Sequence, residues 1–181
     1  MSSTILNING KKQVSQTQKV ALTGVMAALI AVATILAIPV PPPISTINLA
    51  PIIIFTVAIL LGSVVGATAT VIGCGIGYLA GTSLGTIYYP PGLLYIYLVG
   101  LLAARGPMAF IVGALRKKSE AGGMVVGVFV EFVVFFSIDF AIAGIGYAVF
   151  DFGTFIDLIF VPITTAVLLG VRRFLGTKYL S

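Results

Sequence analysis

Residues 123–148 read GMVVGVFVEFVVFFSIDFAIAGIGYA, and this stretch decides the fold. It is apolar and long enough for a helix to cross the roughly 30 Å of hydrocarbon in a bilayer. Yet it contains two acids, Glu131 and Asp139. A carboxylate within a membrane-spanning helix is costly, so it usually faces a partner, a cavity or a ligand. The other segments must supply what these acids meet.

The composition of the whole chain matches that stretch. Hydrophobic residues make up 59% of the chain and charged residues 8%, with a mean hydropathy of +1.18, which indicates a polytopic membrane protein. Because there is no histidine, histidine-ligated metals and Ser-His-Asp triads are excluded. The single cysteine, Cys74, allows no intrachain disulfide. No GxxxxGK loop occurs, so any use of ATP must come from partner subunits.

Six apolar segments predict an all-α fold, a bundle of six transmembrane helices. Residues 49–61 and 64–84 could form one long bent helix or two helices joined at Gly62. We predict two, because a single crossing would place the basic turn at 116–118 outside the cell. The predicted spans are residues 20–38, 49–61, 64–84, 93–115, 123–148 and 155–171.

Basic residues flank these spans on one side only. They precede the first span, follow the fourth and follow the sixth, whereas the loops after the first, third and fifth spans contain none. The positive-inside rule then predicts that both termini are cytoplasmic, in a multi-pass protein of the cell membrane. The net charge of +5 follows this topology and indicates no nucleic-acid partner. We expect a flexible tail at 1–18, one membrane domain at 19–175 and a short tail at 176–181.

Arg105 is the only basic residue inside a predicted span. A helical rise of 1.5 Å per residue puts it about 15 Å from the inner face, and puts Glu131 about 12 Å from that face. The fourth and fifth spans are joined by a short turn and should be antiparallel neighbours. We therefore predict an ion pair between Arg105 and Glu131. A structural role for it is favoured over a moving or proton-coupled one.

Asp139 lies about 24 Å from the inner end of its helix, at a level that no basic residue reaches. It shares a helix face with Phe132 and Phe136. An acid beside two aromatic rings could hold a small heteroaromatic ligand; the alternative is a hydrated acid at the aqueous rim. Asp157, near the outer start of the sixth span, is interpreted as a rim residue more than as a ligand-binding one.

Two outer loops are stiff and could cover a ligand. Residues 39–48 are rich in proline, and residues 85–92 read GTIYYPPG. Tyrosines at this depth are commonly interfacial anchors. The alternative is that these loops form a lid over a ligand cavity. The candidate substrate-binding residues are Asp139, Phe136, Phe132, Tyr88, Tyr89, Asn48, Tyr95 and, as the weakest candidate, Asp157.

The first span has a face of small residues, which would allow another helix to approach closely. From the spacing alone, packing within the six-helix body is favoured over contact with a separate subunit. The residues of this face are Gly24, Ala27, Ala28 and Ala31.

The chain also resembles a known family. It opens with KVALTGVMAALIAVATILAI at 19–38 and continues with LAPIIIFTVAILLGSVVGATATVIGCGIGYLAG at 49–81. These segments are similar to the substrate-binding S components of energy-coupling factor (ECF) vitamin importers, which typically have an AxxxA element in the first helix and a Leu-Gly-x-x-x-Gly hairpin. Most of residues 19–118 takes part in the resemblance, and the rest matches less well.

The resemblance implies a high-affinity vitamin binder with its ligand near the outer face and no catalytic residues. It also implies a transmembrane coupling subunit, contacted through the small face of the first span, and two ATPase subunits that alone use ATP. Aromatic residues and sparse charges favour a flat, weakly charged ligand such as a flavin, a pyrimidine or a pterin. No covalently bound cofactor and no metal is expected.

Two other classes of protein are compatible with the sequence. A self-sufficient small carrier or channel could use Arg105, Glu131 and Asp139 as a polar path. An intramembrane enzyme or an assembly factor is the other class; against an enzyme stand the lack of histidine and of an acid cluster of the DDxxD kind. Transport by the pure protein in liposomes, without ATPase partners, would indicate the carrier.

Overall fold

The computed structural model describes residues 16–39, 46–87 and 92–175. These residues are helical apart from turns and a two-residue antiparallel ladder, β1 with β2, that pairs Ile38 with Ile47. The elements are α1 (Gln16–Ile35), β1 (Ile38–Pro39), β2 (Thr46–Ile47), α2 (Ala50–Leu61), α3 (Ser63–Leu84), α4 (Leu94–Leu115), α5 (Glu120–Ala143), α6 (Ile145–Ala148), a 3₁₀ segment (Val149–Ile159) and α7 (Phe160–Leu175).

The helix count agrees with the predicted six-helix body. Helices α1, α3, α4 and α5 and the continuous helical segment Ile145–Phe174 are each long and apolar enough to cross a membrane. Helix α2 is the sixth and is shorter: its 12 residues span about 18 Å, less than the hydrocarbon thickness. An apolar body of this kind is a multi-pass membrane protein.

Residues 49–84 form two helices, as predicted. Gly62 separates α2 from α3 with φ +97°, a backbone conformation that favours glycine. Beyond this turn the two helices pack closely: a Cβ on Gly66 would lie 2.7 Å from Ala58 Cα. Glycine at position 66 therefore allows α3 to fold back along α2.

The small residues of α1 divide between two surfaces. Ala27 and Ala31 are buried against α3, where a Cβ on Gly73 would lie 2.5 Å from Ala27 O and one on Gly77 would lie 2.7 Å from Ala31 O. The expectation that Ala27 and Ala31 contact a partner subunit is therefore wrong, because glycines of α3 already occupy that face. Gly24 and Ala28 of the predicted face are exposed.

The predicted fifth span, 123–148, is interrupted before its end. Helix α5 stops at Ala143, and Gly144 has φ +78°, which turns the chain. The next residues form α6 and then an 11-residue 3₁₀ segment that leads into α7. The loop expected before the sixth span is thus helical, and it packs against α5. This return path brings the later acids beside those of α5.

Candidate functional site

Arg105 of α4 and Glu131 of α5 form the inner of two polar clusters. Arg105 Nε donates to Glu131 Oε1 at 2.9 Å, and the two residues are only 7% and 1% exposed. Arg105 Nη1 lies 3.9 Å from Cys74 Sγ on α3. Glu131 Oε2 receives no hydrogen bond from any described residue. The cluster joins three helices through charged contacts that water does not reach.

Asp157 belongs to this inner cluster as well. It is 9% exposed and interacts electrostatically with both Arg105 and Glu131. The interpretation of Asp157 as a hydrated rim residue is therefore wrong: the 3₁₀ segment carries it inward, alongside α5. Two carboxyl groups accompany one guanidinium, so the cluster has no surplus of positive charge to offer an anionic ligand.

Asp139 is the centre of the outer cluster. It is 7% exposed, and its carboxyl group interacts with the Tyr97 side chain of α4 and with Asp151 of the 3₁₀ segment. Tyr147 approaches Tyr97 from α6. No described residue donates to Asp139 Oδ1 or to Asp151 Oδ2. The cluster thus presents buried hydrogen-bond acceptors that no described residue uses.

The two clusters are stacked along the bundle at a common spacing. Asp139 follows Glu131 by eight residues of α-helix, and Asp157 follows Asp151 by six residues of 3₁₀ helix. At 1.5 Å and 2.0 Å per residue, both separations are about 12 Å. Because the 3₁₀ segment runs antiparallel to α5, Asp157 lies at the level of Glu131, and Asp151 lies at the level of Asp139.

A set of phenylalanine rings lines α5 and the 3₁₀ segment next to the clusters. The Phe132 ring centroid lies 4.7 Å from that of Phe155, 5.0 Å from that of Phe152 and 5.6 Å from that of Phe136. Phe136 and Phe140 are stacked with centroids 6.3 Å apart. Rings at these distances and angles attract each other and offer flat faces to an aromatic ligand. We refer to these five residues as the phenylalanine cluster.

The other predicted site residues are placed differently. Asn48 Oδ1 accepts a hydrogen bond from Ala50 N at 3.1 Å, so its side chain helps to start α2. Tyr95 is 72% exposed, on the opposite side of α4 from Tyr97. Tyr88 and Tyr89 lie outside the described residues.

The sequence analysis did not identify Tyr97, Asp151 or Tyr147. A signal for Tyr97 was present: it precedes Arg105 by eight residues, just as Asp139 follows Glu131 by eight. Because α4 and α5 are antiparallel, the level argument that pairs Arg105 with Glu131 also places Tyr97 opposite Asp139. Among the described residues, no group of three His, Cys, Asp or Glu side chains could hold a metal ion.

Comparison with known proteins gives one match. The family described as "ECF-type riboflavin transporter, S component" matches residues 14–172, which is most of the chain. No curated protein and no solved structure matches it.

Proposed function

The chain belongs to the family of ECF-type riboflavin transporter S components, and we propose that it binds riboflavin at the outer cluster and delivers it to an ATP-dependent importer. Members of this family are substrate-binding transport subunits and not enzymes. The main support for this ligand and for its location is that Asp139 is buried and has a carboxyl oxygen that accepts no hydrogen bond from any described residue.

Riboflavin suits the chemistry of this region. Its isoalloxazine ring is flat and aromatic, with one imide N–H, and its ribityl chain carries several hydroxyl groups. A ring of this kind can stack on the phenylalanine cluster, while an N–H or O–H donates to Asp139. Because the ligand carries no charge at neutral pH, the surrounding acids do not repel it. A buried acceptor without a hydrogen bond destabilises the unliganded protein. A donor group on the ligand that reaches it would therefore increase the binding affinity.

The site lies at the end of the bundle opposite the basic residues. Lys19 and the turn at 116–118 mark one end of the described body, and the outer cluster is two to three helical turns beyond Glu131 in the other direction. With the basic end in the cytoplasm, both termini are cytoplasmic and the ligand enters from outside. This orientation is the one an importer needs.

Energy coupling would come from partners. The chain has no phosphate-binding loop, so we propose that a transmembrane coupling subunit and two ATPase subunits supply ATP hydrolysis. Of the predicted contact face on α1, the small residues Gly24 and Ala28 are exposed and can be reached by a partner subunit. Close approach of a partner helix there needs no rearrangement of the body.

Fluorescence titration of riboflavin with the purified full-length protein tests the proposal, because a nearby tyrosine quenches flavin fluorescence by electron transfer, and Tyr97 and Tyr147 belong to the outer cluster. We expect saturable, stoichiometric quenching. Lumichrome, which keeps the ring but lacks the ribityl chain, should bind more weakly if both parts are recognised. Absence of saturable quenching by riboflavin would refute the proposal. Uptake into liposomes containing this protein alone would instead indicate a self-sufficient carrier.

A further inference from the structure

A cavity of about 560 Å³ opens at the basic end of the bundle, where α1, α2, α3 and α4 meet. Its wall combines cationic side chains with apolar ones, which is the composition expected where a membrane body meets lipid head groups. The lining residues that matter for the argument are Lys19, Arg116, Lys117, Leu22, Leu60 and Val64.

Among the described residues that line this cavity, none is acidic. Five acids occur in the sequence. Four of them belong to the two polar clusters described above. The fifth, Glu120, forms an ion pair with Arg172 and is not part of the cavity wall. Lys19 and Lys117 are exposed. An anionic group from outside the chain would therefore meet three cationic side chains and no acidic one at this wall.

The guanidinium of Arg116 is held in place at the cavity wall. Its Nη1 donates to Ile59 O at 3.0 Å and to Leu60 O at 3.3 Å, two carbonyl groups in the last turn of α2. These bonds orient one cation of the cavity before any ligand arrives. The first residues of α3, Ser63 and Val64, also line the cavity, and the free amides of a helix's first turn favour an anion.

An apolar groove between α3 and α4 adjoins the cavity. Its volume is about 630 Å³, and its walls are Ala67, Thr68 and Ile72 of α3 with Leu102 and Phe110 of α4 among others. Gly106 and Pro107 also line the groove on the α4 side. From Ala114 at the cavity to Leu102, α4 rises about 18 Å. A flexible hydrocarbon chain fits a groove of this length and polarity.

We propose that the cavity and the groove together bind one anionic phospholipid of the cytoplasmic leaflet. The phosphate-bearing head group lies between Lys19, Arg116 and Lys117, and an acyl chain lies in the groove between α3 and α4. The cationic lining of the cavity and the adjoining apolar groove are separate observations, and a phospholipid satisfies both. An acidic side chain of a protein partner would satisfy only the first.

Native mass spectrometry of the purified full-length protein, titrated with phosphatidylglycerol or with phosphatidylcholine of the same acyl chains, tests this site. The cavity variant is Lys19→Gln with Lys117→Gln. Its matched control is Lys118→Gln with Arg173→Gln, which removes the same charge from exposed residues that do not line the cavity. Inorganic phosphate is a third probe, to distinguish a head group from a free anion.

Wild-type protein should prefer phosphatidylglycerol, and the cavity variant should bind it about tenfold to thirtyfold more weakly. The reason is that each basic residue near an anionic head group strengthens binding by about fivefold. The control should stay within about twofold of wild type. Equal losses in both variants would show diffuse charge attraction and overturn the site. Phosphate binding as tightly as the lipid would overturn the lipid assignment.

A second substitution tests the groove. Thr68→Phe puts a large ring into it from an exposed position, whereas Ile76→Phe makes a similar change on α3 outside the groove. Thr68→Phe should weaken binding of long-chain phosphatidylglycerol and Ile76→Phe should not. If neither weakens binding, no acyl chain lies in the groove and the proposal is wrong. If the cavity variant keeps lipid binding but loses the coupling subunit, the cavity meets a protein partner, which also overturns the proposal.

Discussion

Removing either member of the Arg105–Glu131 pair should destabilise the protein strongly. Both side chains are at least 90% buried and their atoms approach to 2.9 Å, so neither charge can be compensated by water. Breaking a buried pair by deleting one partner costs about 3–5 kcal/mol, because the other charge stays behind unpaired. Arg105→Ala should be the more damaging change, since it leaves Asp157 uncompensated as well as Glu131.

The test is a double-mutant cycle of Arg105→Ala and Glu131→Ala, with unfolding followed in detergent during denaturant titration. The double variant should recover part of the loss, with a coupling free energy of about 1–3 kcal/mol. The pair Arg172–Glu120 is the matched control: it has the same chemistry but is about one-third exposed, and its coupling should be within about 1 kcal/mol. Additive losses at Arg105 and Glu131 would refute the reasoning.

Two further predictions concern topology and the α1 surface. A cysteine at Thr86 should react with an impermeant reagent from outside, and one at Lys118 only after permeabilisation; the reverse pattern would exclude cytoplasmic termini. Lys118 is preferred to its neighbour Ser119, which caps α5. Ala27→Trp should prevent folding because α3 fills that face, whereas Ala28→Trp should keep ligand binding and lose the coupling subunit. Stable complex formation by Ala28→Trp would exclude that contact.

The contact between Arg105 and Glu131 could be predicted because the geometry is simple. Two apolar segments joined by a short turn are antiparallel, and a fixed rise per residue then assigns every side chain a level. The same arithmetic contained the meeting of Tyr97 with Asp139. It was not found because a tyrosine, unlike an arginine, does not stand out in a membrane span.

The positions of Asp151 and Asp157 could not be obtained in this way. Their level depends on where α5 ends and on the rise of the following segment. Gly144 ends α5 five residues earlier than expected, and the next stretch is a 3₁₀ helix, with a different rise and period. A hydrophobic pattern read at 3.6 residues per turn does not register that change.

The division of α1 into two surfaces also required the fold. Small residues at helical spacing indicate close approach by some helix, but they do not identify it. Gly73 and Gly77 of α3 are the partners of Ala27 and Ala31, and the reciprocal spacing of four residues explains the fit. What remains available to another subunit is the neighbouring exposed strip, with Ala28 at its centre.

The most direct test of the central claim is calorimetric titration of riboflavin into three folded forms of the full-length protein: wild type, Asp139→Asn and Tyr95→Phe. Losing a hydrogen bond to a charged group costs about 1.5–3 kcal/mol, so Asp139→Asn should weaken binding roughly tenfold to a hundredfold. Tyr95→Phe, on the exposed side of α4, should bind like wild type. Wild-type affinity in Asp139→Asn would contradict the account and place the riboflavin site elsewhere.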